Sequence, residues 1–182
     1  HTAIRRQRQM CIRDSVEPKC IGSRVIVRSM QNSPNSNNPF AMQTVGSEID
    51  GGFAQYCVTL AKEAYPVNCN WSDIELASIP ISYSTAEGML CRANIKNEKI
   101  LITGASGGVG SAAIQLAKIR GASIIAQCSS HKASDLKALG ANHTVNRDDD
   151  LLKVLGKNSV DAVLDLVGGS CWPQLLLSLI HI

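Results

Sequence analysis

From Asn97 onward the chain alternates between runs of consecutive apolar residues and segments whose apolar positions fall three or four apart. "KILITG" (99–104) is apolar on both faces of the pleat, which predicts a fully buried strand. "GGVGSAAIQLAKIRG" (107–121) predicts a small-residue helix that stops at Gly121. The pattern repeats as strand "SIIAQC" (123–128), helix "KASDLKALG" (132–140), strand "HTVN" (143–146), helix "DLLKVLG" (150–156) and strand "DAVLDLVGG" (161–169). Alternating strands and helices with continuous apolar strands predict an α/β fold with a parallel sheet covered on both faces. Residues 16–70 have a different texture and read as β-rich. "SRVIVRS" (23–29) is a β-branched run, and "NSPNSNNP" (32–39) is a polar loop. "GGFAQYCVTL" (51–60) is a strand entered through two glycines. In "WSDIELASIP" (71–80), Ser72 followed three residues later by Glu75 has the spacing of a capping box, and Pro80 is expected to end that helix. "SYSTAEGMLCRANI" (82–95) then predicts a second helix.

Composition narrows the function classes. The chain has 182 residues, 45% apolar and 18% charged, the balance of a globular protein. Aromatic residues make up only 4%, which argues against a stacking platform for single-stranded nucleic acid. The net charge of +3 is carried by the first fifteen residues, where Arg5, Arg6, Arg8 and Arg13 face only Asp14; the rest has 14 basic and 14 acidic side chains. No nucleic-acid partner is expected on that distribution. Residues 1–15 and 177–182 read as tails foreign to the fold, of the kind translated from sequencing adapters. The closing "LLLSLIHI" falls far short of the roughly 20 apolar residues a membrane helix needs, so no membrane association is expected. Seven cysteines occur at positions 11, 20, 57, 69, 91, 128 and 171, with no C-x-x-C pair. An odd count without a secretory signal points to reduced thiols in a cytoplasm, and the sequons at Asn70 and Asn142 are then chance matches.

The chemistry concentrates in "ILITGASGGVGSAAIQLAK" (100–118), a strand, a glycine-rich turn and a helix start. The first N–H groups of such a helix are unpaired and carry the positive end of its dipole, so a diphosphate fits there. Gly107 admits close backbone approach to phosphate, and Gly110 admits close packing of helix on strand, while Ala105 stands at the usual first glycine of G-x-G-x-x-G. Two other classes write similar letters. Gly104-Ala105-Ser106-Gly107-Gly108 fits the G-x-S-x-G of a serine hydrolase with Ser106 as nucleophile. Such an enzyme needs a downstream histidine, and only His131, His143 and His181 follow. Thr103-Gly104-x-x-x-Gly108-x-Gly110 fits a short-chain reductase, in which the motif opens the chain rather than following some 80 residues.

The preceding segments bear on that choice. "GSEIDGGFAQYCV", "ELASIPISYSTAEGML", "ILITGASGGVGSAAIQLAK", "LKALGANHTVN" and "VDAVLDLVGG" occur in that order, and the chain resembles the medium-chain dehydrogenase/reductase superfamily over about residues 16–172. The "AxGGVG" spelling is most similar to its quinone and enoyl reductase branch. The resemblance implies a partial Rossmann doubly wound parallel sheet (94–176) preceded by the C-terminal part of a β-rich GroES-like domain with linking helices (16–93). It also implies a middle piece of a longer enzyme, lacking most substrate-pocket positions and the last strands of the sheet. The implied activity is hydride transfer between a nicotinamide and a quinone, enone or carbonyl, with a small-molecule substrate and a homodimeric parent. A non-catalytic nucleotide-binding module is the alternative. No catalytic residue is identifiable.

The resemblance places a zinc-ligand cysteine after the proline before the "STA" helix, and here that position is Ile81, so no zinc is expected. No acid lies between Glu98 and Asp135, where an NAD site carries a carboxylate for the ribose hydroxyls. Ser129, Ser130 and Lys132 stand there instead, with Arg147 after the next strand; these favour the 2′-phosphate of NADP over NAD. The expected cofactor-binding set is Thr85, Ser106, Gly107, Gly108, Val109, Gly110, Ser129, Ser130, Lys132, Arg147, Leu166 and Val167. The plain alternatives are a solvated Lys132, an Arg147 paired with Asp148 to Asp150, a buried Thr85 hydroxyl, and simple burial of Leu166 and Val167.

Overall fold

A computed structural model of the chain describes residues 21–33, 37–38 and 41–179. The basic tail, Cys11, Cys20 and His181 lie outside the described residues. The chain divides into two compact units, one ending at Ile81 and the other beginning at Ser82.

In the first unit the β-branched run forms β1 (Val25–Val27), paired antiparallel with β4 (Ala64–Pro66), and β2 (Met30–Asn32) pairs antiparallel with β3 (Met42–Thr44). Residues 51–60, expected as a strand, form none. The reason is visible at the two glycines. A methyl group on Gly51 would stand 2.9 Å from the Gly46 Cα, so the backbones press together and the chain bends there. Beyond the bend, Phe53 and Val58 are 90% and 86% exposed, with no neighbouring strand to cover them among the described residues.

Helix α1 (Asp73–Arg92) opens with the predicted capping box: the Ser72 N–H donates to Glu75 Oε2 (2.7 Å), and the Glu75 N–H donates back to Ser72 Oγ (3.3 Å). Arg24, just ahead of β1, donates to Asp73 Oδ1 and to the Cys69 and Trp71 carbonyls, tying β1 to this helix start. Pro80 does not end the helix, contrary to expectation; one helix of 20 residues runs through it. A proline removes a single N–H bond and bends a helix, and burial on both sides of it, at Leu76 and at Ala86 and Leu90, outweighs that loss. Because Ala86 and Leu90 belong to the core of the second unit, the units divide twelve residues ahead of the expected boundary at 94.

The second unit is a four-stranded parallel sheet in the order β7-β6-β5-β8, formed by β5 (Lys99–Ile102), β6 (Ser123–Cys128), β7 (His143–Asn146) and β8 (Ala162–Leu164). The period of two sorts its side chains. Ile100, Ile102, Ile124 and Ala126 join Ala112, Ala113 and Ala117 of α2 (Gly108–Arg120) and Leu136 of α3 (Ala133–Leu139) on one face. Leu101, Ile125 and Val145 join Leu151 of α4 (Leu151–Leu155) and Leu175 of α5 (Trp172–Ser178) on the other. This is the parallel sheet covered on both faces that the apolar runs predict, and the partial, doubly wound Rossmann sheet that the resemblance implies. Two boundaries differ. The last strand stops at Leu164 instead of continuing to 169, because beyond it the N–H groups of Leu166, Val167 and Gly168 donate to the Thr103 and Asp165 side chains, and the chain then turns through Gly168 (φ +70°) and Gly169 (φ +85°). The segment from 177 is also ordered at its start: Ser178 is fully buried in α5, and Leu179 bridges to Val160.

Candidate dinucleotide site

The C-terminal ends of β5, β6 and β8 open onto a crevice of about 420 Å³, lined by the turn after each strand. At the first, Gly104 takes the left-handed conformation (φ +57°) that swings the chain out of β5. With that role filled, Ala105 occupies the motif's first glycine position in ordinary backbone geometry, fully buried, its N–H on the Gln127 carbonyl (3.2 Å). A methyl group on Gly110 would lie 2.6 Å from both the Ala105 Cα and the Gly104 carbonyl oxygen, a clash only glycine avoids, so Gly110 sets the approach of α2 to β5 as expected. On Gly107 the nearest such atom is 3.4 Å away, so packing does not demand glycine there. Gly107 caps α2 without a side-chain hydrogen bond, leaving the opening N–H groups of the helix to an outside acceptor. Gly108 meets a constraint not foreseen: its added methyl would sit 2.9 Å from Ser82 Oγ of α1.

At the second turn, after β6, Ser129 lines the crevice together with Arg147 from the turn after β7, whereas Ser130 and Lys132 are exposed beside it. The Ser130 hydroxyl accepts from Asn146 Nδ2 (2.6 Å), and the Lys132 N–H closes a 3-10 turn on the Ser129 carbonyl (2.9 Å). Burial pushes the Cys128 thiol above its ordinary range, opposed by the nearby Lys132 charge. Arg147 is 70% exposed and lies 3.8 Å from Asp148, itself 82% exposed and also in the lining. The surface pairing weighed for Arg147 is therefore present, and the crevice carries an acid beside its arginine.

At the third turn Val167 lines the crevice, while Leu166 packs against the core and donates its N–H to Thr103 Oγ1 (2.9 Å). Of the twelve expected residues, Ser106, Ser129, Arg147 and Val167 reach the lining, with Gly107 to Gly110 opening the adjoining helix. Thr85 is not brought to the lining; it is exposed on α1, so the buried-hydroxyl alternative does not hold. No histidine lines the crevice among the described residues, and His143 begins β7, at the sheet edge opposite Ser106.

The zinc-binding dehydrogenase family model matches residues 108–181. A solved structure of a candidate alcohol dehydrogenase from Sinorhizobium meliloti 1021 superposes with TM-score 0.82 at 38% identity, over 91% of this chain and 48% of that one. The chain belongs to the medium-chain dehydrogenase/reductase superfamily. Other medium-chain relatives include the quinone oxidoreductase of Thermus thermophilus, solved also in complex with NADPH (TM-score 0.67, 26% identity, 86% of this chain and 47% of that one). Prostaglandin reductase-3 of Mus musculus is 33% identical over 141 residues, 71% of this chain and 37% of that protein. The chain thus spans less than half the length of these medium-chain relatives.

Sequence reasoning missed Gly104, Gln127, Cys128, Asp148, Gly168, Ser170 and Cys171 in the lining. It also missed the group that organises the third turn. Asp165 Oδ1 accepts from Thr103 Oγ1 (2.5 Å) and from the N–H groups of Val167 and Gly168 (3.1 Å each). Its Oδ2 accepts from Gly168 (3.1 Å) and from Trp172 Nε1 (2.8 Å). Burial pushes this carboxyl upward, but the donors outweigh it and hold Asp165 below its ordinary value. The available signal was an acid placed directly between a buried strand and a Gly-Gly turn.

Proposed function

We propose that the chain forms the dinucleotide-binding part of an NADPH-dependent, zinc-independent oxidoreductase acting on quinones, enones or carbonyl compounds. The observation that carries this reading is the uncapped N-terminus of α2 at Gly107, opening beside a 420 Å³ crevice at the strand ends. A diphosphate bridge matches that helix end in charge and hydrogen bonding, and Gly107 adds no side chain to obstruct it. A bound nicotinamide dinucleotide supplies the hydride chemistry; the residues of this chain bind and orient it. Ser129 and Arg147 offer a hydroxyl and a charge to a 2′-phosphate, with Lys132 close by on the rim. The NADPH complex of the Thermus relative supports the same choice. Independence from zinc rests on Ile81, whose aliphatic side chain provides no ligand atom where the zinc-dependent pattern needs one.

We assign the parent enzyme a small-molecule substrate and a homodimeric state, as the family resemblance implies, and a cytoplasmic location, on its odd number of cysteines. No helix among the described residues is long and apolar enough to cross a membrane.

Titration with NADPH and NADH, read by nicotinamide fluorescence, tests the assignment. NADPH is expected to bind more tightly, and Lys132→Ala to weaken NADPH while leaving NADH nearly unchanged. Equal losses for both would remove the 2′-phosphate assignment. Labelling of Ser106 by a fluorophosphonate, with neither dinucleotide bound, would replace the reading with a serine hydrolase.

A further inference from the structure

The third turn of the crevice is held by one carboxylate, and we propose that Asp165 is a positioning residue for dinucleotide binding. It locks the Val167–Gly168 wall against Thr103, opposite the glycine turn. The proposal rests on reading the crevice as the dinucleotide site.

Every group that meets Asp165 is a donor: the Thr103 hydroxyl, two backbone N–H groups and the Trp172 indole. Only an ionised carboxylate accepts on both oxygens at this side-chain length; an asparagine turns an NH₂ toward one of those donors. Thr103, fully buried, immediately precedes Gly104, and it passes the connection on by accepting the Leu166 N–H. The glycine turn and the third turn are therefore joined through a continuous hydrogen-bonded chain. They also touch, since a methyl group on Gly104 would stand 3.0 Å from Val167 Cγ2. Gly168 and Gly169 both have positive φ and impose little conformational restraint of their own. Without the carboxylate, the N–H groups of 167 and 168 lose their acceptor and this wall is free to drift. The apolar residues on either side, Leu164 and Leu166, already pack in the core. What the carboxylate adds is the placement of Val167 and Gly168, two residues of the crevice lining. Such placement lowers the ordering cost of binding.

Trp172 gives the test a spectroscopic handle, because the chain has only two tryptophans and its indole N–H binds Asp165 directly. In a Trp71→Phe background, Trp172 emission reports the turn, and its energy transfer to NADPH or NADH reports binding. Asp165→Asn is expected to shift Trp172 emission and to weaken binding of the better dinucleotide about tenfold, with far-ultraviolet circular dichroism unchanged. Thr103→Val, which removes the other end of the connection, is expected to do the same, and Thr103→Ser to restore binding. That pair decides the matter should Asp165→Asn fail to fold. Wild-type affinity in Thr103→Val, and in Asp165→Asn where it folds, with only a lowered melting temperature, would overturn the positioning role. Failure of the unaltered chain to bind either dinucleotide would overturn the underlying site assignment, and this proposal with it.

Discussion

Two strand-to-helix joins open side by side at one edge of the parallel sheet, and they are built from different materials. The join from β5 to α2 is made of backbone: Gly104 bends, Gly107 caps without a side chain, and Gly110 packs so close that a methyl group added to it would lie 2.6 Å from the Gly104 carbonyl oxygen and the Ala105 Cα. The join from β6 to α3 is made of side chains: Ser129 in the lining, Ser130 engaged by Asn146, Lys132 on the rim, and Arg147 from the next turn shared with Asp148. The first suits a group common to every dinucleotide, and the second suits whatever distinguishes one dinucleotide from another. A backbone site is fixed by stereochemistry, whereas a side-chain site is adjusted by single charges.

The substitutions that break this contrast fall in a definite order. Gly110→Val is expected to have the largest effect, about 3 kcal/mol or more of stability together with loss of dinucleotide binding, seen in chemical denaturation. Gly107→Ala sharpens the comparison within the same turn. It should cost about 1 kcal/mol or less of stability, because the nearest backbone atom leaves room, yet still weaken both dinucleotides alike. Arg147→Ala should weaken NADPH about tenfold and spare NADH, measured by titration calorimetry. Asp148→Asn should act in the opposite direction and more weakly, tightening NADPH about two- to threefold, because an exposed pair 3.8 Å apart is worth little. An unchanged NADPH-to-NADH ratio in both Arg147→Ala and Asp148→Asn would move specificity away from this join.

Asp165 adds a prediction with a fixed sign. Its folded-state value lies below the ordinary 3.8, so its stabilising contribution is complete above 3.8 and is lost as pH falls through the folded value. Melts taken from about pH 5 down to about pH 2 should show a steeper acid limb in the wild type than in Asp165→Asn. Parallel limbs would mean that the carboxylate is no better solvated by its donors than by water.

What could be read from the chain alone follows the same division between backbone and side chain. Continuous apolar runs announce strands buried on both faces, and Ser72–Glu75 and Gly110 declare themselves through spacing that only one local geometry uses. Pro80 misled because its local penalty is smaller than the burial on either side of it, a quantity that belongs to the folded unit. Residues 51–60 misled because their β pattern finds no partner strand among the described residues past the Gly46–Gly51 contact. Asp165 and Asp148 escaped notice because their roles depend on residues distant in sequence or on which way a turn faces. Thr103 lies 62 positions from Asp165, and nothing in "NRDDD" shows that Asp148 rather than Asp149 joins the crevice. The fold was thus more legible than the site, whose backbone half was more legible than its side-chain half.

The central claim is that main-chain N–H groups at the start of α2 hold the diphosphate of a nicotinamide dinucleotide. Amide chemical shifts of the chain, recorded during titration with NADPH, test it most directly. The largest shifts are expected at Gly108, Val109 and Gly110, since the Gly107 and Ser111 N–H groups are already bonded to the Gly104 and Gly107 carbonyls, with smaller ones at Val167 and Gly168. Saturation with NADPH that leaves the amides of 108–110 unmoved would contradict it.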